Sequence, residues 1–186
     1  MLTSQEATSY DVITYLIWHK QVRLKVLILA WRLLWNRLPT KDNMMVGNII
    51  SHDNQLCVTG CGGLETDHHL FLSCPCFASL WGLARSWLDI SATDPSHLHK
   101  HAIQLTYSSG GLRVRRSFLP HVWLCFVWVL WNERNNQIFK NIESPILHLL
   151  DKVKLHSFWW MKTTNINIRL SFHLWWSCPF VCLGID

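Results

Sequence analysis

Residues 57–74 read CVTGCGGLETDHHLFLSC and carry Cys57, Cys61, His69 and Cys74 in a C-x3-C-x7-H-x4-C spacing. Three soft thiolates and one imidazole suit a tetrahedral zinc ion. Four protein ligands leave no coordination position open for water, so the predicted ion is a single structural Zn2+ rather than a catalytic one. Gly60, Gly62 and Gly63 flank Cys61, where the chain has to turn sharply to bring two thiolates to one ion. The residues alone leave alternatives open. The C-x3-C gap is longer than the commonest C-x2-C, His68 adjoins His69, and Cys76 lies just beyond Cys74. The same side chains also read as buried thiols beside a surface histidine.

The run LILAWRLLWNRLPTKDN, then LCVTGCGGLETDHHLFLSCPCFASLW, resembles the reverse-transcriptase zinc-binding domain of plant non-LTR (LINE-type) retrotransposons. The resemblance covers residues 16–87. In that family a hydrophobic AWR-type helix and an RLPTK-N turn precede a Cys/Cys/His/Cys site that ends in HLF and a cysteine. This context, with the x4 spacing to Cys74, favours His69 over His68. The later VWVLWNERNN and the Trp-rich end are similar to the segments downstream of the domain in legume elements. The resemblance implies an accessory module that holds RNA or DNA with low sequence selectivity beside a reverse-transcriptase core. It makes Arg32, Arg37 and Lys41 the candidates for contacts to the nucleic-acid backbone. The alternative is a decayed or domesticated fragment acting as a structural or protein-interaction module.

Composition narrows the class. With 49% hydrophobic and 16% charged residues, the chain is not a disordered one. Twelve tryptophans predict large apolar clusters. A net charge of +5 is compatible with a polyanionic partner without requiring one. The chain has seven cysteines, and its N-terminus, MLTSQEATSYD, has no basic and apolar leader pattern. The expected setting is intracellular and reducing, nuclear or cytoplasmic rather than secreted. The most apolar run, 119–131, is shorter than the ~20 residues of a membrane-spanning helix and includes Pro120 and His121. It reads as a buried helix, with no membrane partner.

The expected fold is mainly α: a small helical domain around the zinc loop, then a Trp-rich helical tail with a C-terminal strand. The expected organisation is a truncated lead-in at 1–15, the zinc-binding domain at 16–90, a connector at 91–117 and the tail at 118–186. The first helix spans 23–36, where Gln21, Lys25, Arg32 and Asn36 make one polar stripe on an apolar cylinder. Thr40 caps a short helix that ends at Gly47, and Ile49 and Ile50 read as a brief extended piece. Thr66 caps a helix that Pro75 breaks, and periodicity resumes over 76–88. In the connector, His97, His99 and His101 alternate, which would share a face only in a strand; no strand pattern surrounds them. Ser117 is read as the cap of a long helix to about 140, with Pro120 in its first turn. Ser144-Pro145 opens the next helix. Residues 165–174 alternate with period two and predict a strand. His173, Cys178 and Cys182 form an incomplete ligand set, read as packing residues.

Reverse-transcriptase chemistry requires paired aspartates for two metal ions, and no Asp-Asp pair occurs in the chain. A phosphate-cradling G-x-x-x-x-G-K-[ST] loop, a G-x-S-x-G elbow and an H-E-x-x-H motif are also missing. The expectation is a non-enzyme with no small-molecule substrate.

Overall fold

The structure, a computed structural model, describes Trp18 and residues 22–91, 97–107, 113–164 and 171–182. Among these residues it is all-helical, with a single isolated antiparallel bridge between Leu56 and Leu64. The chain runs α1 (Leu24–Leu34), α2 (Lys41–Val46), the Cys/His loop, α3 (Pro75–Leu88), α4 (Leu98–Tyr107), α5 (Arg113–Lys140) and α6 (Ile146–Thr164). Two short helices, α7 (Phe172–Ser177) and α8 (Pro179–Cys182), complete it.

α1 buries Val26, Leu27, Leu29, Ala30, Leu33 and Leu34, while Lys25, Arg32 and Asn36 of the polar stripe read from the sequence are exposed and its fourth member, Gln21, lies outside the described residues. Leu24 and Ile28 widen the stripe with apolar surface. The helix stops before Pro39 is reached. Asn36 adopts a left-handed conformation (φ 48°); the N–H of Arg37 then returns to the Arg32 carbonyl at 2.7 Å and that of Asn36 to Leu33 at 3.0 Å. This is a Schellman-type end, with asparagine in the place glycine usually takes. Asn43 fixes the next turn by donating to the Asn36 side chain at 2.8 Å and to the Leu38 carbonyl at 2.9 Å. Thr40 caps α2, accepting from the Asn43 N–H at 3.3 Å, and is itself fully buried. We expect Thr40→Ala to cost about 1 kcal/mol, readable as a lower urea midpoint at unchanged slope. Ile49 and Ile50 lie in a bend rather than an extended piece.

α5 is the central element. It packs against α1, α4 and α6, while α3 packs on α6 and touches α8. Phe118, Leu119, Val122, Leu124, Cys125, Phe126 and Leu130 are buried all round the helix, which explains why its apolar half shows no stripe. The helix begins at Arg113, not at Ser117, so Pro120 sits well inside it. Proline there removes one backbone hydrogen bond. The helix continues because burial on every side outweighs that loss. No helix among the described residues is long and apolar enough to cross a membrane.

Burying so many indoles requires partners for their N–H groups. Trp81 donates to the Phe71 carbonyl at 2.7 Å, Trp87 to Trp175 at 3.2 Å, Trp175 to Lys154 at 3.1 Å and Trp123 to His101 Nδ1 at 3.3 Å. Trp175, Phe118, Phe158 and Trp87 pack edge to face. The aromatic-rich C-terminal half and the helices around the Cys/His loop thus share one continuous core.

Two further expectations change. The 91–117 stretch contains α4; its helical turn spreads the three histidines, and His101 is buried edge-on to Trp81 at 4.3 Å. Of the strand read at 165–174, residues 165–170 lie outside the described residues, and Phe172, His173 and Leu174 are helical in α7. Ser171 caps that helix, its hydroxyl accepting from the Leu174 N–H. The local cap and the burial of Trp175 prevail over an alternation that has no neighbouring strand among the described residues to satisfy it.

Candidate metal centre

The loop before His69 is a tight hairpin. The Cys57 N–H donates to the Gly63 carbonyl at 2.8 Å and the Glu65 N–H to Gln55 at 2.9 Å. Gly60 (φ 70°) and Gly62 (φ 81°) supply the left-handed backbone that the reversal needs. Gly63 serves differently. A Cβ there would lie 2.9 Å from both ring nitrogens of His69, so the imidazole rests directly on the glycine backbone. We expect Gly63→Ala to push the ring out of place and weaken metal retention by about ten-fold or more in competition with a chromogenic chelator. Gly60→Ala, with open space around it, should cost only the left-handed strain of about 1–2 kcal/mol.

The second half of the site depends on an unusual turn. The Thr66 hydroxyl accepts from the His69 N–H at 3.0 Å and starts the helical segment. His69–Ser73 then forms a π-type turn, closed by the Cys74 N–H donating to the His69 carbonyl at 2.7 Å. In an α-helix residues five apart point ~140° away from each other; an i→i+5 turn brings them close to one face. Pro75, without an N–H, opens α3, and Cys74 becomes its extended N-cap.

These elements bring Cys57, Cys61, His69 and Cys74 together, with one ligating atom from each inside a group no wider than 4.8 Å. Cys57 and Cys74 sulfurs lie 4.0 Å apart, Cys61 and Cys74 sulfurs 3.9 Å, and Cys61 Sγ is 3.1 Å from His69 Nε2. A tetrahedral zinc with its usual bond lengths sets sulfurs ~3.8 Å apart and sulfur from nitrogen ~3.5 Å. The sulfur edges match and the sulfur–nitrogen edge is a little short, so a compact Cys3His set able to hold one structural Zn2+ is present. The bound ion would supply a cross-link between the hairpin and the start of α3. His68 turns instead toward Ser73, with Nδ1 3.4 Å from its hydroxyl, and Cys76 is exposed.

The surroundings favour thiolate at Cys74. Its thiol is lowered to about 4, first by the hydrogen bond with Cys57, then against burial by the Thr59 hydroxyl and the N–H groups of Phe77 and Cys76. Cys57 is pushed up by that same bond and by burial. The Thr59 hydroxyl reaches both sulfurs, at 3.3 and 3.4 Å, where an outer-shell donor steadies metal-bound thiolates.

Glu65 was not apparent from the sequence. It is fully buried behind the hairpin. Its Oε1 accepts from Arg134 Nη2 at 2.7 Å, Arg134 Nε at 3.1 Å and the Lys41 N–H at 3.2 Å; its Oε2 accepts from the Val58 N–H at 3.2 Å. Arg134 also donates to the Pro39 carbonyl at 3.1 Å. One carboxylate thereby ties the metal loop, the start of α2 and the polar end of α5 together. The only hint was an adjacent Glu133 and Arg134 on a largely apolar helix. Glu133 is buried too, accepting from the Ser144 N–H at 2.7 Å, with Lys152 Nζ 3.8 Å from its other oxygen.

The cations expected to meet nucleic acid each make a local contact within the protein. Arg32 is exposed and donates to the Arg37 carbonyl at 3.1 Å; Arg37 is exposed, 5.3 Å from the centre of the Trp31 ring. Lys41 is half-buried and donates to the Leu56 carbonyl at 2.7 Å. At the C-terminus, His173 and Cys178 are exposed while Cys182 is buried, its thiol directed to the Ser171 carbonyl; they form no ligand group.

A family model described as zinc-binding in reverse transcriptase matches residues 1–81, and all four Cys/His ligand candidates fall inside that match. No curated protein and no solved structure matches the chain significantly.

Proposed function

We propose that this chain is a zinc-stabilised, nucleic-acid-binding accessory module of the type that accompanies retrotransposon reverse transcriptases, in particular those of plant LINE-type elements. It binds RNA or DNA with low sequence selectivity, beside a polymerase core it does not itself provide. The observation that carries the reading is the coincidence of the Cys57/Cys61/His69/Cys74 cluster with the segment matched by the family model. Zinc is held by those four residues and has no catalytic part. In this reading 16–90 is the zinc-binding domain, 91–117 the connection and 118–186 the helical segment that covers it, and the protein works inside the cell.

Arg32, Arg37 and Lys41 contact phosphates in this reading. Arg37 is the cleaner probe, because Arg32 also holds the Arg37 carbonyl and Lys41 the Leu56 carbonyl. The test is filter binding of the zinc-loaded full chain across a salt series. Binding should weaken steeply with salt, and Arg32→Ala and Arg37→Ala should each flatten the log–log slope by about one. Affinity that ignores salt removes the electrostatic picture.

A second reading, a protein-interaction module in a domesticated fragment, has one specific observation in its favour. A groove of about 920 Å3 between the metal hairpin and the end of α5 is lined by Met44, Ile50, Leu56, Trp131, Ile138 and Phe139. Leu56 and Phe139 stay more than half exposed there. Absence of any nucleic-acid binding by zinc-loaded protein would make this the better reading.

A further inference from the structure

Away from the metal loop, the entry to α1 meets α5 and α6 around a second cavity of about 370 Å3. Arg23, Lys25, Trp128, His156, Trp159 and Trp160 line it, with Val26 and Thr163. This volume lies at the small end of ligand sites and suits one nucleotide rather than a folded partner. Two chemistries alternate around it. Lys25 Nζ sits 4.6 Å from the centre of the Trp128 ring, and at the rim Lys162 Nζ sits 5.2 Å from that of Trp159. Trp159 is about half exposed, at 51%, while its neighbour Trp160 is buried. Phe158 meets this ring edge to face at 5.6 Å and Lys162 stands over it, and the half of the indole that stays in solvent is the surface open to a stacking partner.

The charge is one-sided. The cations Arg23 and Lys25 face the cavity beside His156, whose imidazole is held toward its neutral form by burial and by those same cations, and the lining includes no carboxylate. Lys152 lies within electrostatic reach of His156 but is answered by Glu133; the carboxylate of Asp151 acts on Lys154 instead. Clustered cations with no acid among them repel, and an anion placed between them relieves that repulsion. Cations that track a phosphate backbone beside aromatic rings that accept bases are the two parts of a single-strand binding surface. A duplex, with its bases stacked inside, has no use for the indole.

We propose that the Arg23/Lys25/His156 cavity with its Trp159 rim is a subsite for single-stranded nucleic acid, taking a phosphate on the cations and stacking an unpaired base on Trp159. The subsite rests on the nucleic-acid reading above but lies outside the segment matched by the zinc-binding family model at its Trp159 rim, and none of Arg32, Arg37 and Lys41 is among its lining. The metal module would then hold the strand's backbone in general, and this cavity would distinguish unpaired from paired strands.

The test uses the zinc-loaded 186-residue chain and fluorescence anisotropy of labelled oligonucleotides of about 12 residues: oligo(U), oligo(dT) and a mixed-sequence duplex. Trp159→Ala should weaken single-strand binding by roughly ten-fold and leave duplex binding unchanged, while Trp159→Phe should recover most of the loss. Lys25→Gln should flatten the single-strand salt slope by about 0.7. The far-ultraviolet circular dichroism and urea midpoint of each variant show whether the fold is retained. A parent that binds single strands, with Trp159→Ala and Lys25→Gln indistinguishable from it, overturns the subsite and leaves the general reading standing. A parent that binds none of the three overturns both. Equal losses on duplex and single strand overturn the discrimination between them. Preference between oligo(U) and oligo(dT) decides whether the strand is RNA or DNA.

Discussion

Cys74→Ser is expected to abolish zinc retention in the full chain and to lower its melting temperature by roughly 10 °C, corresponding to about 3 kcal/mol or more. The substitution separates two roles of one residue. Cys74 is both a member of the Cys3His group and the N-cap of α3. Serine is among the best N-caps, so the cap survives or improves and the loss reports the metal bond. His69→Ala and Cys57→Ser should fall to the same level, because a structural zinc site with three ligands no longer closes. Native mass spectrometry should count one zinc on the parent and none on the variants, and a chelator should bring the parent down to them. A folded parent that carries no zinc would sink the assignment of these residues as ligands. The effect stays below the full binding energy of a zinc finger because a large apolar core continues to hold the remaining helices when the metal is gone.

The second large effect is expected at the buried ion pair. Glu65 and Arg134 have side chains 0% and 3% exposed. Removing one partner leaves the other charge without water or counter-ion, which costs about 3–5 kcal/mol. Glu65→Ala should be the more damaging of the two, since it also deprives the N–H groups of Lys41 and Val58 of their acceptor and so loosens the metal hairpin. Arg134→Met paired with Glu65→Gln should recover much of the loss, because no unpaired charge then remains buried. Urea unfolding of the parent, Glu65→Gln, Arg134→Met and the double variant gives the coupling directly. Single substitutions that each cost less than about 1 kcal/mol would mean that water reaches the pair and that the hairpin is not anchored through it.

The metal cluster, the capped α2, the Pro75 break and the two long C-terminal helices were legible in the sequence, because each rests on residues a few positions apart. Thr40 reaches three residues to cap α2, and all four Cys/His ligand candidates lie within 57–74. Local spacing of this kind is what capping, helical period and ligand patterns encode. The choice of His69 rested on context, and the physical reason emerges only in three dimensions: the π-type turn that swings it toward Cys74. The strand read at 165–174 shows the limit of the same logic. A period of two specifies a face, but it takes a neighbouring strand to make that face worth adopting, and at Phe172 the chain takes a helix instead.

What the sequence by itself determined is therefore the zinc-type ligand pattern, the helical class and most helix boundaries. The tertiary structure alone decided that α5 is the centre of the core, that Arg134 reaches back across 69 residues to Glu65, and that Arg23, Lys25 and Trp159 meet around one cavity. Those pairings join segments far apart in the chain. They are selected by burial and charge compensation over the whole molecule, and no periodicity along the sequence records them.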